Sequence, residues 1–262
     1  MSVENQPRSV SQAQQYEECG HRYYLRRVER VASRPAAWSH HGTAFHTACE
    51  AVERSGREMT ADEAVALFSD EYGRLINQAL ADEPDLDRWL HACTGGAADD
   101  IEQRFERGRE QTRRYVEWAR ESGPVIWKAP DGTAGLELAF ETVIGGVVVR
   151  GYIDQLIAEP DGSVRVRDLK TGSTKSRFQL ETYAVAVRQE YNVPVNSGDW
   201  YLAKDHRLSR TVKLSDVSSE DVGQRYAAMD AGVKREDFMP APGFGCKFCD
   251  VSHACDFSRQ RS

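Results

Sequence analysis

Apolar and polar positions change their period along this chain, and the changes divide it into elements. Over Leu136–Val143 the period is two, with Leu136, Leu138, Phe140 and Thr142 set against Glu137, Ala139, Glu141 and Val143, which predicts a strand. Gly145-Gly146 turns it as a hairpin into a second strand rich in Val, Ile and Leu, Val147–Ala158. Pro160-Asp161-Gly162 is a further turn signal, and Val164–Leu169 alternates again, with Val164 and Val166 on one side and Arg165 and Arg167 on the other. The pattern predicts three consecutive antiparallel strands and then a crossover through a helix over Thr174–Tyr191. That helix packs through Phe178, Tyr183, Ala184, Val187 and Tyr191. Two more strands are predicted at Asp199–Ala203 and Thr211–Leu214, and an amphipathic helix at Ser218–Ala231.

Before Leu136 the spacing is helical. Ser9 or Ser11 can cap a helix running to Arg30, with Gln14 placed as in a capping box and Tyr23, Tyr24 and Leu25 facing inward. A helix over His40–Arg54 follows Pro35, and it sets His46 and Glu50 four apart on one face. Thr60 and Glu63 form a capping box for Thr60–Leu80, and Ala97–Ser122 carries a stripe of Ile101, Phe105, Thr112, Tyr115, Val116 and Trp118. Between those two helices Pro84 and Gly95-Gly96 mark a break.

The chain has 262 residues, enough for one large domain with a helical insertion, and 40% of it is hydrophobic, ordinary for a globular protein. No apolar run of 18 residues occurs and the first ten residues lack a secretory core, so no membrane span is expected and the expected location is cytoplasmic. The net charge of −7 argues against nucleic-acid binding as a bulk property, although a groove needs only a local field. Arg22, Arg26, Arg27, Arg30 and Arg34 form one basic cluster and Arg104, Arg107, Arg109, Arg113 and Arg114 another; nearby Glu residues balance many of them, and the second cluster reads as a solvated helix face. Asp205-His206-Arg207 is a turn whose basic residues could touch a phosphate backbone.

The candidate chemistry begins on the strands. Asp154 is central in the second strand, while Asp168 and Lys170 are two apart on one face of the third. If those strands pair, two carboxylates and an ammonium converge. Such a group can hold Mg²⁺ or Mn²⁺, polarise a phosphodiester and position a water. The competing reading is a surface hairpin with a loose Asp–Lys pair.

There are six cysteines, of which Cys246, Cys249 and Cys255 lie within ten positions. In a cytosolic chain such a cluster means metal or redox chemistry more often than disulfides. Three thiolates need a fourth ligand. His253 offers one, giving a Cys₃His zinc site with Cys19 free. Cys49 and Cys93 read as core and incidental thiols.

Taken in order, these residues carry a resemblance. Gly42-Thr43-x-x-His46-x-x-x-Glu50, then Gly151-Tyr152-Ile153-Asp154, then Asp168-Leu169-Lys170-Thr171-Gly172 and Gln179-x-x-x-Tyr183, resemble the motifs of RecB-like PD-(D/E)XK nucleases. The Ser9–Val28 stretch around Cys19 and the terminal cysteines resemble the branch of that family with an iron–sulfur cluster, including CRISPR-adaptation nucleases and phage recombination exonucleases. Gly20 stands where that branch commonly has proline.

The resemblance implies a restriction-endonuclease-like α/β fold: a mixed central sheet with flanking helices in a single domain over 1–262. The helical insertion is placed at about 56–125, the nuclease core at 135–215 and a staple between Cys19 and 246–255. It implies metal ligation by His46, Asp154, Asp168 and the Leu169 carbonyl, and water positioning by Lys170. Substrate contacts fall to Gln179, Tyr183 and Glu50, and a [4Fe-4S] cluster to Cys19, Cys246, Cys249 and Cys255. The implied activity is metal-dependent DNA exonuclease action on single-stranded ends, leaving 5′-phosphates, with partners in recombination, repair or CRISPR adaptation. A non-catalytic DNA-binding or assembly module and a zinc-binding scaffold are the alternatives. No G-x-x-x-x-G-K-[ST] occurs, so ATP-driven unwinding is not expected.

Overall fold

The computed structural model describes residues 6–172 and 176–258. The N-terminal helix expected over Ser9–Arg30 is interrupted. α1 (Val10–Glu18) is capped by the Ser9 hydroxyl, which accepts from Gln12 N, and the chain goes extended at Cys19 (φ −164°, ψ 106°) before α2 (Gly20–Tyr23) and a π-helical turn at Tyr24–Val28. The break has a steric companion. A Cβ on Gly20 would lie 2.9 Å from Met239 N and from the Phe238 carbonyl carbon, so this close backbone approach admits only glycine.

α3 (Ala37–Arg54), α4 (Ala61–Asp82) and α5 (Gly96–Ser122) follow, with the expected Thr60–Glu63 capping box on α4. The strands are β1 (Leu136–Ile144), β2 (Val147–Ala158) and β3 (Val164–Lys170). α6 (Arg177–Tyr191) leads to β4 (Val195–Leu202), β5 (Arg207–Leu208), β6 (Val212–Lys213) and α7 (Ser219–Lys234). Ser173, Thr174 and Lys175, where the crossover helix was expected to begin, lie outside the described residues. Ser176 is the N-cap and accepts from Gln179 N. β4 begins four residues before the expected strand, at Val195, because Val195, Ser197 and Gly198 pair with β3 despite the turn-like Asn196-Ser197-Gly198.

The sheet is mixed and six-stranded, in the order β1-β2-β3-β4-β5, with β6 also on β4. β2 and β3 are antiparallel, and the crossover through α6 makes β3 and β4 parallel. Gly145 and Gly146, both at positive φ (60° and 76°), form the tight turn between β1 and β2.

Two compact units make up the chain. One comprises Pro35–Ala139 and Tyr152–Asp216. In it α3, α4 and α5 pack together, with Phe45, Phe68, Tyr72, Trp89 and Tyr115 buried, and Leu169 and Tyr201 join them from the sheet. Successive β3 residues point to opposite faces, so Leu169 meets this helical layer while Lys170 reaches Gln179 of α6. The same alternation sends Arg167 to the helical side, where it is buried rather than solvated. Its Nε lies 2.6 Å from Asp199 Oδ1 and its guanidinium stacks over Trp118. Glu partners appear on α5 for two of the five arginines, Arg109 with Glu106 and Arg114 with Glu110 and Glu117, while Arg104 pairs with Asp100 and Arg113 with Asp62 of α4.

The other unit comprises Met1–Arg34, Phe140–Gly151 and Val217–Ser262. Its anchor is Arg8, 1% exposed, which pairs with Asp230 at 2.7 Å and donates to the Tyr23 hydroxyl. Asp250 gathers Arg22, Arg26 and Ser33, tying the N-terminal helices to the cysteine segment. No helix among the described residues is long and apolar enough to cross a membrane.

One buried base sets an acid limit on stability. His41 of α3 is buried, with Nε2 2.8 Å from Gln111 Oε1. Burial, reinforced by Arg104, lowers its pKa to about 4. Its ordinary value is 6.5, so between those values the unfolded chain binds the extra proton and stability falls as pH falls. His41→Gln should flatten that limb, removing up to about 3 kcal/mol of the pH-dependent loss in denaturant unfolding. Equal slopes for both proteins would contradict it.

Candidate metal centre

The β2–β3 ladder runs from Ala158↔Val164 to Gln155↔Arg167. One residue further along β2, the backbone pairing gives way to a side chain: Asp154 Oδ2 accepts from Leu169 N at 2.7 Å. The carboxylate satisfies an amide that the departing strand leaves behind, and it places charge where the strands part. α3 brings His46 to the same point. Its Nε2 is 3.0 Å from the Leu169 carbonyl, and its Nδ1 is 3.4 Å from Glu137 Oε1 and 3.6 Å from Asp154 Oδ2. Ligand atoms of His46, Glu137 and Asp154 all lie within 4.8 Å of one another.

Asp168 stands beside this group, 1% exposed. Lys170 Nζ is 2.8 Å from its Oδ2, while its Oδ1 has no hydrogen-bond partner among the described residues. Lys170 also donates to Gln179 Oε1 at 3.0 Å, and Gln179 Nε2 donates to the Tyr183 hydroxyl at 2.8 Å. Gln179 and Tyr183, one helical turn apart on α6, thus hold the lysine from behind. Tyr183 is 5% exposed, a burial that fits support of Gln179 and leaves no ring face for stacking. Glu50 lines the cleft above His46 and accepts from Arg54 Nε at 2.7 Å. The Leu169 carbonyl is engaged by His46 Nε2, which fixes the ring with Nδ1 toward the carboxylates.

The electrostatics fit a cation. Burial raises both Asp154 and Asp168 above the usual carboxylate range; His46 opposes the shift at Asp154, and Lys170 opposes it at Asp168. Burial would lower His46, but Asp154 and Glu137 override it and hold the imidazole up at about 9. Burial, with acidic neighbours adding to it at Asp154, therefore favours the protonated carboxyls. A divalent ion can do the same work, and an orphaned buried Asp168 oxygen beside an imidazole and two carboxylates is a donor set that suits Mg²⁺ or Mn²⁺.

Glu137 is the member that the sequence pattern assigned no role. Alternation gave it only a place on the polar side of β1. It adopts φ +43°, the left-handed region that a residue with a Cβ rarely occupies. The local twist turns its carboxylate to His46, and a period-two pattern carries no sign of it.

Cys19, Cys246, Cys249 and Cys255 line one small cavity of about 90 Å³ in the other unit. Cys19 Sγ accepts from Arg22 N and Ala241 N, and Cys246 Sγ from Gly243 N. His253 is exposed and is not among the residues lining that cavity.

With this geometry in place, comparison with known proteins is direct. Residues 7–256 match the family model of the PD-(D/E)XK nuclease superfamily. The chain belongs to that superfamily. The PD-(D/E)XK chain is 37% identical to the Gene 69 protein of Mycobacterium phage D29, over 95% of this chain and 96% of that one. It is 34% identical to the Gene 69 protein of Mycobacterium phage L5, over 95% of each. A solved structure titled "Crystal structure of SSO0001" overlaps 47% of this chain and 59% of that chain, at 16% identity and a TM-score of 0.31. The superfamily's metal-dependent nuclease chemistry and the His46–Glu137–Asp154 group point the same way.

A left-handed glutamate among carboxylates has a testable signature. Glu137→Gly removes backbone strain and charge repulsion together, so the metal-free protein should melt no lower than wild type. Mn²⁺ affinity, measured by calorimetry, should fall by roughly 10-fold or more. Unchanged Mn²⁺ affinity would remove Glu137 from the site.

Proposed function

We propose that this nuclease is a metal-dependent exonuclease acting on single-stranded DNA ends and stabilised by an iron–sulfur cluster. The observation that carries the reading is the meeting of His46, Glu137, Asp154 and Asp168 beside an amine held in place from behind. His46, Glu137, Asp154 and Asp168 would hold the ion, with the Leu169 carbonyl at its border. When bound, a divalent cation there polarises the phosphodiester and acidifies a water.

The chain's own groups supply the rest. Lys170, pinned by Asp168 and Gln179, offers an ammonium to orient the attacking water and to offset charge on the phosphoryl oxygens. Gln179 and Tyr183 position that amine rather than the substrate. The cleft lined by Glu50, Thr43 and Thr47 leads to the same point from solvent. Cleavage at ends, preference for single strands and 5′-phosphate products rest on the resemblance to phage recombination exonucleases, and the phage origin of the two curated relatives accords with it. The intact His46–Asp154–Asp168–Lys170 set speaks against a non-catalytic assembly module.

Four thiols around one cavity, with backbone amides donating to two of the sulfurs, support ligation of a [4Fe-4S] cluster by Cys19, Cys246, Cys249 and Cys255. Cys19 belongs to the lining and His253 does not, which favours this set over Cys₃His zinc. The cluster would be structural, reinforcing the clasp that Asp250 already makes.

The test uses anaerobically prepared protein whose iron and zinc are assayed. Wild type should release nucleotides from end-labelled single-stranded DNA with Mg²⁺ or Mn²⁺. Lys170→Ala should lower the rate on the order of 10²- to 10⁴-fold while still binding Mn²⁺. Equal rates for wild type and Lys170→Ala would refute the mechanism, and zinc in place of iron would refute the cluster.

A further inference from the structure

The cleft above the metal centre holds a residue that neither packing nor ligation explains. It encloses about 660 Å³, and His46, Glu137, Thr43, Thr47, Glu50 and Tyr152 are among its lining. Tyr152 is 63% exposed, a large ring left in solvent at the lip of an acidic hollow. The polar side chains on the α3 wall are already engaged. Thr43 donates to Ser39 O, Thr47 donates to Thr43 O, and Glu50 is held by Arg54. The described lining includes two carboxylates, on Glu50 and Glu137, and no Lys or Arg.

That wall gives a DNA strand little phosphate attraction. A neutral aromatic face does not share the problem, since base stacking is indifferent to the sign of nearby charge and tolerant of sequence. Tyr152 and Asp154 are two apart on β2, so their side chains leave the same face about 6.6 Å apart along the strand. That offset is of the order of one step between neighbouring nucleotides.

We propose that Tyr152 forms a nucleobase subsite, stacking on the base next to the scissile phosphate; the proposal rests on the nuclease reading above. The subsite would also select single strands. In a duplex both faces of each base are covered by its neighbours, whereas a single strand can turn one base out onto the ring. Tyr152 is then a positioning residue: it fixes the register of the strand and takes no part in bond making.

The test walks 2-aminopurine through the terminal five positions of a single-stranded oligonucleotide, with Ca²⁺ replacing the catalytic ion so that the strand stays intact. Wild type, Tyr152→Phe and Tyr152→Trp should quench the fluorescence at one position, and Tyr152→Ala should not. With Mg²⁺ or Mn²⁺, Tyr152→Ala should lose about 10- to 100-fold in kcat/KM on single strands, recovered by Phe or Trp. The salt dependence of binding should be unchanged, because no phosphate contact is lost. Tyr152 is exposed, so a wild-type melting temperature for Tyr152→Ala is the folding control. Quenching and cleavage by Tyr152→Ala equal to wild type would overturn the subsite and leave the nuclease reading intact. Position-specific quenching with no cleavage by any of the proteins would overturn the hydrolytic reading and leave the subsite. Failure of wild type to bind the oligonucleotide would overturn both.

Discussion

One hydrogen bond organises the centre: Asp154 Oδ2 accepting the Leu169 amide. β2 and β3 pair by backbone up to Gln155↔Arg167 and then part. Parting two buried strands strands an amide, which costs about 1–3 kcal/mol when left unpaired. The carboxylate meets that need and at the same time puts a negative charge at the fork. Everything else in the site is arranged around the fork. β3 carries Asp168 and Lys170 past it on one face, α3 lays His46 across it, and the left-handed turn at Glu137 brings a further carboxylate from β1.

The fork needs a rigid base, and the face of β3 turned away from Lys170 supplies one. Arg167 lies buried between Asp199 and the ring of Trp118, and Tyr115 and Tyr201 pack against that ring in turn. A buried pair of this kind adds little net stability against an apolar equivalent, but removing one partner is costly, about 3–5 kcal/mol. It therefore fixes the register of β3 against β4, and with it the position of Asp168 and Lys170. Burial of acids at the fork is the opposite kind of feature: a local cost, added to at Asp154 by its acidic neighbours, that raises Asp154 and Asp168 above the usual carboxylate range and that a bound cation would relieve.

Much of this was legible in the residues. Period-two alternation located the three consecutive strands, and the two-residue spacing of Asp168 and Lys170 put them on one face. Helical spacing made His46 reachable from α3. What stayed hidden were features set by backbone conformation or by long-range pairing. Glu137 looked like any polar position on an amphipathic strand, and only φ +43° aims it inward. The break at Cys19 follows from contact with Phe238 and Met239, more than two hundred residues away. Alternation set Arg167 opposite Val164 and Val166, but it cannot tell a wet face from one covered by a helical layer. Gln179 could be placed near the site from its motif, but its partner, Lys170, came only with the geometry.

The account stands on a divalent ion seated at the fork. The most direct measurement is anomalous diffraction at the manganese edge from crystals grown with Mn²⁺. The account predicts one strong peak within about 2.0–2.3 Å of oxygens of Glu137, Asp154 or Asp168 and of His46 Nδ1. No peak at the fork at saturating Mn²⁺, or a peak only elsewhere, would contradict it.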